Sequence, residues 1–438
     1  MKSDQLAARL QADGVAPDTI VALQFDKSLE MAVAILGVLK SGGAFLPMDP
    51  TWPLERRQFI LQDAGCGHLV VQGQYASDFA WFSGSVVSTK ANSFVDKAGI
   101  FQDSLEMHQR RFSTSQLSHI IYTSGSTGNP KGVKAVHANV LNYMYAWRAL
   151  HVFESSMRFA VVTNYVFDLF YRDFLNGLCF TGGSIVFVQD YNFSHAAEGD
   201  GLLEFDVLSS TPSALASAKL PSSIRILLVA GEAMTQEVFS CIHDGCLLTN
   251  AYGTTETTME ISSKRYDLVQ DFVDRPGSIG NPLSNVTSYV VNPKTMQLQP
   301  VGVYGELLIG GIQVAQGYLN RQELTAEKFI ANPWQATDPS GRGVFYRTGD
   351  SVRWCEDGEL EFAGRIDSQV KLRGLRIELG EIEHALRALS GLTEAVVLLR
   401  DDVGVVPALV AYVSPVSATD NISTLKENLL QTLPGYMV

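Results

Sequence analysis

Apolar and polar positions along this chain fall into short blocks with two periods. The run at 28–40, SLEMAVAILGVLK, places Leu29, Val33, Leu36 and Leu39 on one face of a helix, with Ser28 positioned to cap its N-terminus. Gly42 and Gly43 stop that helix, and a short strand restarts at Ala44 and ends near Pro47. Apolar runs of strand length recur at 68–72, 184–188, 224–230 and 306–309, with helical patterns between them. Such alternation predicts a layered α/β fold. The opening KSDQLAARLQADG is polar and helical in pattern, so it does not read as a signal peptide. No apolar run approaches the length of a membrane span.

One block breaks the pattern. Ile120 and Ile121 feed a segment, IYTSGSTGNPKGV, in which an apolar strand gives way to a loop. Gly125, Gly128 and Gly132 let backbone N–H groups crowd around an anion, and Thr123, Ser124, Ser126 and Thr127 add hydroxyl donors. Lys131 adds a positive charge. The loop is not the common P-loop, because Pro130 stands where the second glycine belongs and Gly132 replaces the metal-binding hydroxyl residue. It reads as a phosphate cradle.

Further along, NAYGTTE at 250–256 sets an aromatic beside a glycine. Tyr252 offers a flat stacking surface for a base, Asn250 has donors and an acceptor for a purine edge, and Thr255 has a hydroxyl for a phosphate oxygen. Glu256 suits Mg²⁺, a hard cation that favours one or two carboxylates together with phosphates. A lone TGD, as at 348–350, is otherwise a tight turn. The formal charge of −13 offers no broad basic field, so nucleic acid and anionic membrane are not expected partners, and an anionic nucleotide must be held by local donors and a metal. Cys66, Cys179, Cys241, Cys246 and Cys355 are scattered without a metal or disulfide framework, which suggests reduced thiols and a cytoplasmic location.

The loop at 121–133 resembles the phosphate loop of adenylate-forming ligases, a superfamily of acyl-CoA synthetases, luciferases and the adenylation domains of nonribosomal peptide synthetases. YRTGD at 346–350 and GRID at 364–367 are similar to further motifs of that group. The resemblance covers almost the whole chain. It implies ATP and Mg²⁺, with Thr123, Ser124, Gly125, Ser126, Thr127, Gly128 and Lys131 at the phosphates, Tyr252 on adenine, and Gly231, Glu232, Asn250, Ala251, Gly253, Thr254 and Thr255 around the nucleotide. By the same resemblance Asp350 and Arg365 hold the ribose, and Glu256 holds the metal, with Thr123, Lys131 and Glu256 as the catalytic set. It also implies a large multi-subdomain layered N-terminal domain, 1–366, and a small mobile α+β C-terminal lobe, 367–438, hinged at Asp367. The chain pattern reads strands at 394–413 within that stretch and, ahead of it, a surface loop at Asp338 to Arg342.

Two features make the resemblance one to peptide-synthetase adenylation domains. Phe167-Asp168 is similar to the motif whose aspartate grips the substrate's α-ammonium, although Phe170 stands where that motif has a serine. GRIDSQVKLRGLRIELGEIE at 364–383 agrees with the synthetase form nearly throughout. Counted from these anchors, the side-chain pocket implied by the resemblance comprises Asp168, Leu169, Arg172, Ser209, Leu228, Ala230, Ala251, Met259 and Glu260. Leu228 and Met259 suggest an apolar wall. Arg172 and Glu260 either pair with each other, bracket a polar side chain, or leave one of them to select an opposite charge, and a polar or charged L-amino acid is the expectation. The implied function is ATP-dependent formation of an aminoacyl-AMP for loading onto the phosphopantetheine of a peptidyl carrier protein, with other synthetase modules as partners. An acyl- or aryl-CoA ligase and a non-catalytic binding remnant remain alternatives. The family's C-terminal lysine, which lies beyond a phrase matching 433–438, is missing here, as are the family's first residues. A chain trimmed in that way is expected to bind both substrates yet form the adenylate slowly, since one lost charged donor costs about 10²–10³ in rate.

Overall fold

The computed structural model describes residues 2–89, 112–125, 128–151, 153–188, 204–215, 218, 220–334, 343–402, 406–415 and 422–438. It divides into two compact units. One comprises Met1–His137, Tyr318–Arg321 and Ile377–Val438, and the other Ala138–Gly317 and Gln322–Arg376.

In the first unit six strands form one sheet: β1 (Ile20–Gln24), β2 (Ala44–Met48), β3 (His68–Gln72), β4 (Ser85–Thr89), β5 (Leu117–Thr123) and β6 (Lys131–Val136), in the order β4-β3-β1-β2-β5-β6. Pairing is parallel as far as β5, and β6 returns antiparallel. Strand β2 is buried at every position, which is why its sequence is continuously apolar rather than alternating. Helices α1 (Lys2–Ala12), α2 (Leu29–Ser41) and α3 (Leu54–Asp63) belong to the same unit. Ser28 caps α2, its Oγ accepting the Met31 N–H at 3.2 Å, and Gly42 ends the helix at φ 92°. The face expected to be buried is not the one that is. Met31, Ala34, Ile35 and Val38 face inward, while Leu29 is 74% exposed. The helix is apolar on nearly every side, so periodicity leaves its rotation open. Packing decides it, because α1 lies so close that a Cβ on Gly37 would meet Leu6 Cδ2 at 2.7 Å.

The second unit carries a twelve-stranded sheet. Its strands are β7 (Arg158–Val161), β8 (Ser184–Phe187), β9 (Val207–Ser210), β10 (Ile226–Ala230), β11 (Leu247–Tyr252), β12 (Ser262–Tyr266), β13 (Ser278–Pro282), β14 (Val286–Val291), β15 (Gly305–Gly311), β16 (Phe329–Ala331), β17 (Val344–Trp354) and β18 (Leu360–Arg365). From β8 through β7, β9 and β10 to β11 the pairing is parallel; from β12 onward it is antiparallel. Helix α4 (His137–Leu150) precedes β7, and α5 (Asp168–Leu175) follows it. On the parallel strands, Leu208, Leu227, Val229 and Leu248 enter one apolar cluster. Their neighbours Ser209, Leu228, Ala230 and Ala251 therefore share the opposite face, since Ser209 pairs with Leu228 and Ala230 with Ala251.

The hairpin of β19 (Gln369–Leu372) and β20 (Leu375–Glu378) carries the chain back to the first unit, which ends with α6 (Leu379–Ala388), the antiparallel pair β21 (Glu394–Arg400) and β22 (Ala408–Ser414), and α7 (Ile422–Leu429). The strands read at 394–413 are thus present. The loop read at Asp338 to Arg342 lies outside the described residues. All five cysteines are free, and among the described residues no helix is long and apolar enough to cross a membrane.

One core residue makes the first unit acid-sensitive. His119 sits on β5 opposite Phe45 of β2, with ring centroids 5.3 Å apart, and is buried. Burial, with a smaller push from His137, holds its imidazole down to about 3 from an ordinary 6.5. The native state keeps it neutral while the unfolded chain takes up a proton, so this contribution is intact above pH 6.5 and is lost as pH falls toward 3. In urea titrations across that window, His119→Phe is expected to flatten the pH dependence by up to about 1.4 kcal/mol per pH unit. An unchanged slope would contradict the assignment.

Candidate functional site

The phosphate-loop residues lie in the first unit, as the connection of a hairpin rather than a strand-to-helix turn. Thr123 closes β5 and pairs with Lys131, the first residue of β6. Gly125 and Gly128 are needed sterically: a Cβ on the first would meet Asn129 O at 2.0 Å, and one on the second, at φ +90°, would meet His384 Cδ2 at 2.6 Å. Several donors already have anionic company. The Gly125 N–H donates to Glu381 Oε2 at 3.0 Å, and Glu381 Oε1 accepts from Arg56 Nη1 at 2.7 Å. Ser124 Oγ accepts the Glu378 N–H at 3.2 Å, and Lys131 Nζ lies 3.5 Å from Glu378 Oε1 and 5.1 Å from the centre of the Tyr318 ring. Thr123 Oγ1 is buried without a hydrogen-bond partner, a donor left over for a ligand oxygen. Ser126 and Thr127 lie outside the described residues.

The base, ribose and metal candidates lie in the second unit. β11 delivers Asn250, Ala251 and Tyr252, and the chain then turns through Gly253, where a Cβ would meet Met259 O at 2.2 Å. Thr254 caps the single turn Thr255–Thr257 through a reciprocal box with Thr257. That turn drives Glu256 fully inside, where its Oε2 accepts from Arg376 Nη1 at 2.6 Å. The Tyr252 hydroxyl donates to Asp350 Oδ2, and Arg365 Nη1 donates to Asp350 Oδ1 at 2.8 Å. Strand register explains that pair, because Asp350 on β17 is aligned with Arg365 on β18. The rest of the Arg365 fork grips Asp367 at 2.9 and 2.6 Å. Asn250 is buried and donates to Ser278 O at 3.2 Å. Glu232, beside Gly231 at the end of β10, accepts the backbone N–H groups of Gly374 at 2.6 Å and Ser213 at 3.0 Å.

Asp168 opens α5, where its Oδ1 accepts the Leu169 N–H at 2.9 Å. Burial raises its carboxyl above the usual range, the Glu256 charge adds to that, and the Thr255 hydroxyl and Arg376 oppose it. A carboxylate so placed gains from a cationic ligand group. Leu228, Ala230 and Ala251 line the buried sheet face described above, and Met259 follows at φ 71°. The alternatives left open for Arg172 and Glu260 close here. Arg172 Nη1 pairs with Glu260 Oε1, its Nε donates to Asp173 Oδ1 at 3.0 Å, and the Tyr143 hydroxyl donates to Glu260 Oε2. Ser209 Oγ completes the set on Asp173 at 2.6 Å, and the charged side chains of the network are buried. Arg172 and Ser209 are thus committed to protein partners.

Arg376, Asp173, Tyr143, Glu378 and Glu381 were not singled out by sequence reasoning. The signal for three of them was present in KLRGLRIELGEIE, where cations give way to carboxylates within a few residues. Among the described residues no group of three or more His, Cys, Asp or Glu converges on a metal position. One buried carboxylate, here Glu256 on Arg376, fits a cation whose other ligands come from phosphates and water.

Against known proteins, the chain matches the family model described as AMP-binding enzyme over residues 1–319. It is 37% identical over 451 residues to a linear gramicidin synthase protein of Brevibacillus parabrevis, covering 100% of this chain and 8% of that protein. The chain therefore spans under a tenth of that relative's length. A four-domain nonribosomal peptide synthetase solved with AMP and glycine is 31% identical, with TM-score 0.71, covering 100% of this chain and 32% of that one. An artificially fused adenylation and carrier-protein di-domain, NpsA-ThdA from Klebsiella oxytoca, shares the fold at TM-score 0.82 and 24% identity over 100% of this chain and 86% of that one.

The Arg172 network predicts a sharp mutational asymmetry. Arg172→Met strands two buried carboxylates and should cost about 3–5 kcal/mol in chemical denaturation, while the double variant Arg172→Met/Glu260→Gln, which leaves only Asp173 stranded, should recover part of the loss. Additive losses would show that the two side chains do not act as a pair.

Proposed function

Since the chain belongs to the AMP-binding enzyme family, we propose that it activates an amino acid with ATP: the substrate carboxylate attacks the α-phosphate, the bridging bond to the β-phosphate breaks, and aminoacyl-AMP and pyrophosphate result. The aminoacyl group would then pass to the phosphopantetheine thiol of a carrier protein, the new thioester bond replacing the acyl–phosphate bond and AMP leaving. The observation that carries this reading is Asp168. A carboxylate raised by burial and placed beside the Glu256–Arg376 pair is of use to a substrate that brings an ammonium group. Likeness to a gramicidin synthase and to a peptide synthetase bound to AMP and glycine supports the same reading.

Roles follow unit by unit. Thr123, Ser124, Gly125, Ser126, Thr127, Gly128 and Lys131 take phosphate oxygens, with the unpartnered Thr123 hydroxyl as a ready donor. Tyr252 takes the adenine face, and Asp350, held by Arg365, takes the ribose hydroxyls. Glu256 would hold Mg²⁺, which would offset phosphate charge, with Arg376 giving up the carboxylate to it. Catalysis of this kind rests on positioning and on preorganised charge. Because Arg172 is held by both Glu260 and Asp173, it is not left to select an acidic substrate side chain. Residues 1–366 act as the core and 367–438 as a lobe turning about Asp367, whose carboxylate is clamped by Arg365 in this state. A cytoplasmic location suits the free cysteines.

Calorimetry separates these roles. Asp168→Asn is expected to abolish the gain in ATP affinity that the amino acid confers while leaving ATP binding alone. Glu256→Gln is expected to weaken ATP binding in the presence of Mg²⁺ and not in its absence. Retention of the amino-acid effect in Asp168→Asn would overturn the substrate assignment.

A further inference from the structure

At the mouth of the phosphate loop, Ser124, Gly125 and Lys131 are all engaged by one short segment of the same unit. Glu378 stands at the N-terminal boundary of α6, its own N–H bound to Ser124 Oγ and its carboxylate beside Lys131. One turn later, Glu381 bridges Arg56 and the Gly125 N–H, and both of its oxygens are used in doing so. The side chains of Arg56 and Glu381 are 4% and 0% exposed. The Tyr436 hydroxyl is pushed up to about 12, chiefly by burial, and feels the charges of Arg56, Glu381 and Asp49. His384, one turn further along α6, covers Gly128 so closely that no side chain fits there.

An amide N–H serves one strong acceptor at a time, so an oxygen arriving at Gly125 must displace Glu381. Resting on the phosphate role of this loop proposed above, we infer that Glu378 and Glu381 are internal anions standing in for phosphate, and that a polyphosphate and the segment 378–384 compete for the same donors. Binding of the polyphosphate then releases α6 from the loop. The loop's apparent affinity is lowered by the fraction of molecules in which the glutamates hold it. The segment is suited to leave as a piece. Both carboxylates lie at the start of α6, where acidic side chains favour the helix whether or not they hold the loop.

The probe is inorganic pyrophosphate, titrated calorimetrically into the full chain. Glu381→Gln keeps the shape but replaces a charged acceptor with a neutral one, and should bind pyrophosphate at least about tenfold more tightly. Because that change leaves Arg56 without its carboxylate, the double variant Arg56→Met/Glu381→Gln removes both charges and should show the same gain. Hydrogen exchange provides the second readout: pyrophosphate should raise exchange in α6 of the wild type and leave it unchanged in the double variant. Lys131→Ala should weaken binding in every background. Unchanged or weaker pyrophosphate binding in both Glu381 variants, with the Lys131 effect intact, overturns the competition alone. If Lys131→Ala has no effect on pyrophosphate binding, the phosphate-loop role falls, and this inference with it.

Discussion

A carboxylate sealed from water must have a cation beside it, and Glu256 has Arg376. Leaving a charge of that kind unpaired in a low-dielectric interior costs several kcal/mol, so the pair constrains everything around it. It requires the turn at Thr254–Thr257 to be capped from within, and it requires the hairpin after β18 to bring Arg376 back to β11. Asp168 at the head of α5 feels both charges. The Glu256–Arg376 pair is thus satisfied without a ligand, and under the proposed function a metal would take the place of the guanidinium at Glu256 while an ammonium would sit at Asp168.

The same logic governs the first unit with the signs exchanged. There the buried cations are Lys131 and Arg56, and the partners are Glu378 and Glu381. One stretch of sequence thus carries Arg376 to the carboxylate of one unit and two glutamates to the cations of the other. Neither set of charges needs a bound nucleotide to be satisfied. An enzyme that must open its phosphate loop repeatedly benefits from such an arrangement, because the empty state is not left with bare charge.

Much of this was legible in the sequence, and the parts that were not share a cause. Strands such as β2 and β3 announced themselves as apolar runs, and Ser28 and Gly42 marked both ends of α2. Leu228 and Ala230, grouped beforehand only by the resemblance, share one face of their strand. The rotation of α2 was not legible, because a helix apolar all round carries no moment to orient it. Nor were the ion pairs. Glu256 and Arg376 are 120 residues apart, Lys131 and Glu378 are 247, and Arg56 and Glu381 are 325. Only the folded chain brings such partners together. Arg172 and Glu260 lie between the two cases: their oddness was visible, and their pairing was one of several options until α5 and the loop after Glu256 were placed.

The account stands most directly on whether the site asks for an α-amino acid. Calorimetric titration of a panel of amino acids, each beside its des-amino analogue, into the chain saturated with ATP and Mg²⁺ tests this. Side-chain-selective binding that disappears with the α-amino group is the predicted result. Equal or tighter binding of the des-amino acids would contradict the role given to Asp168 and point to an acyl-activating enzyme of the same family.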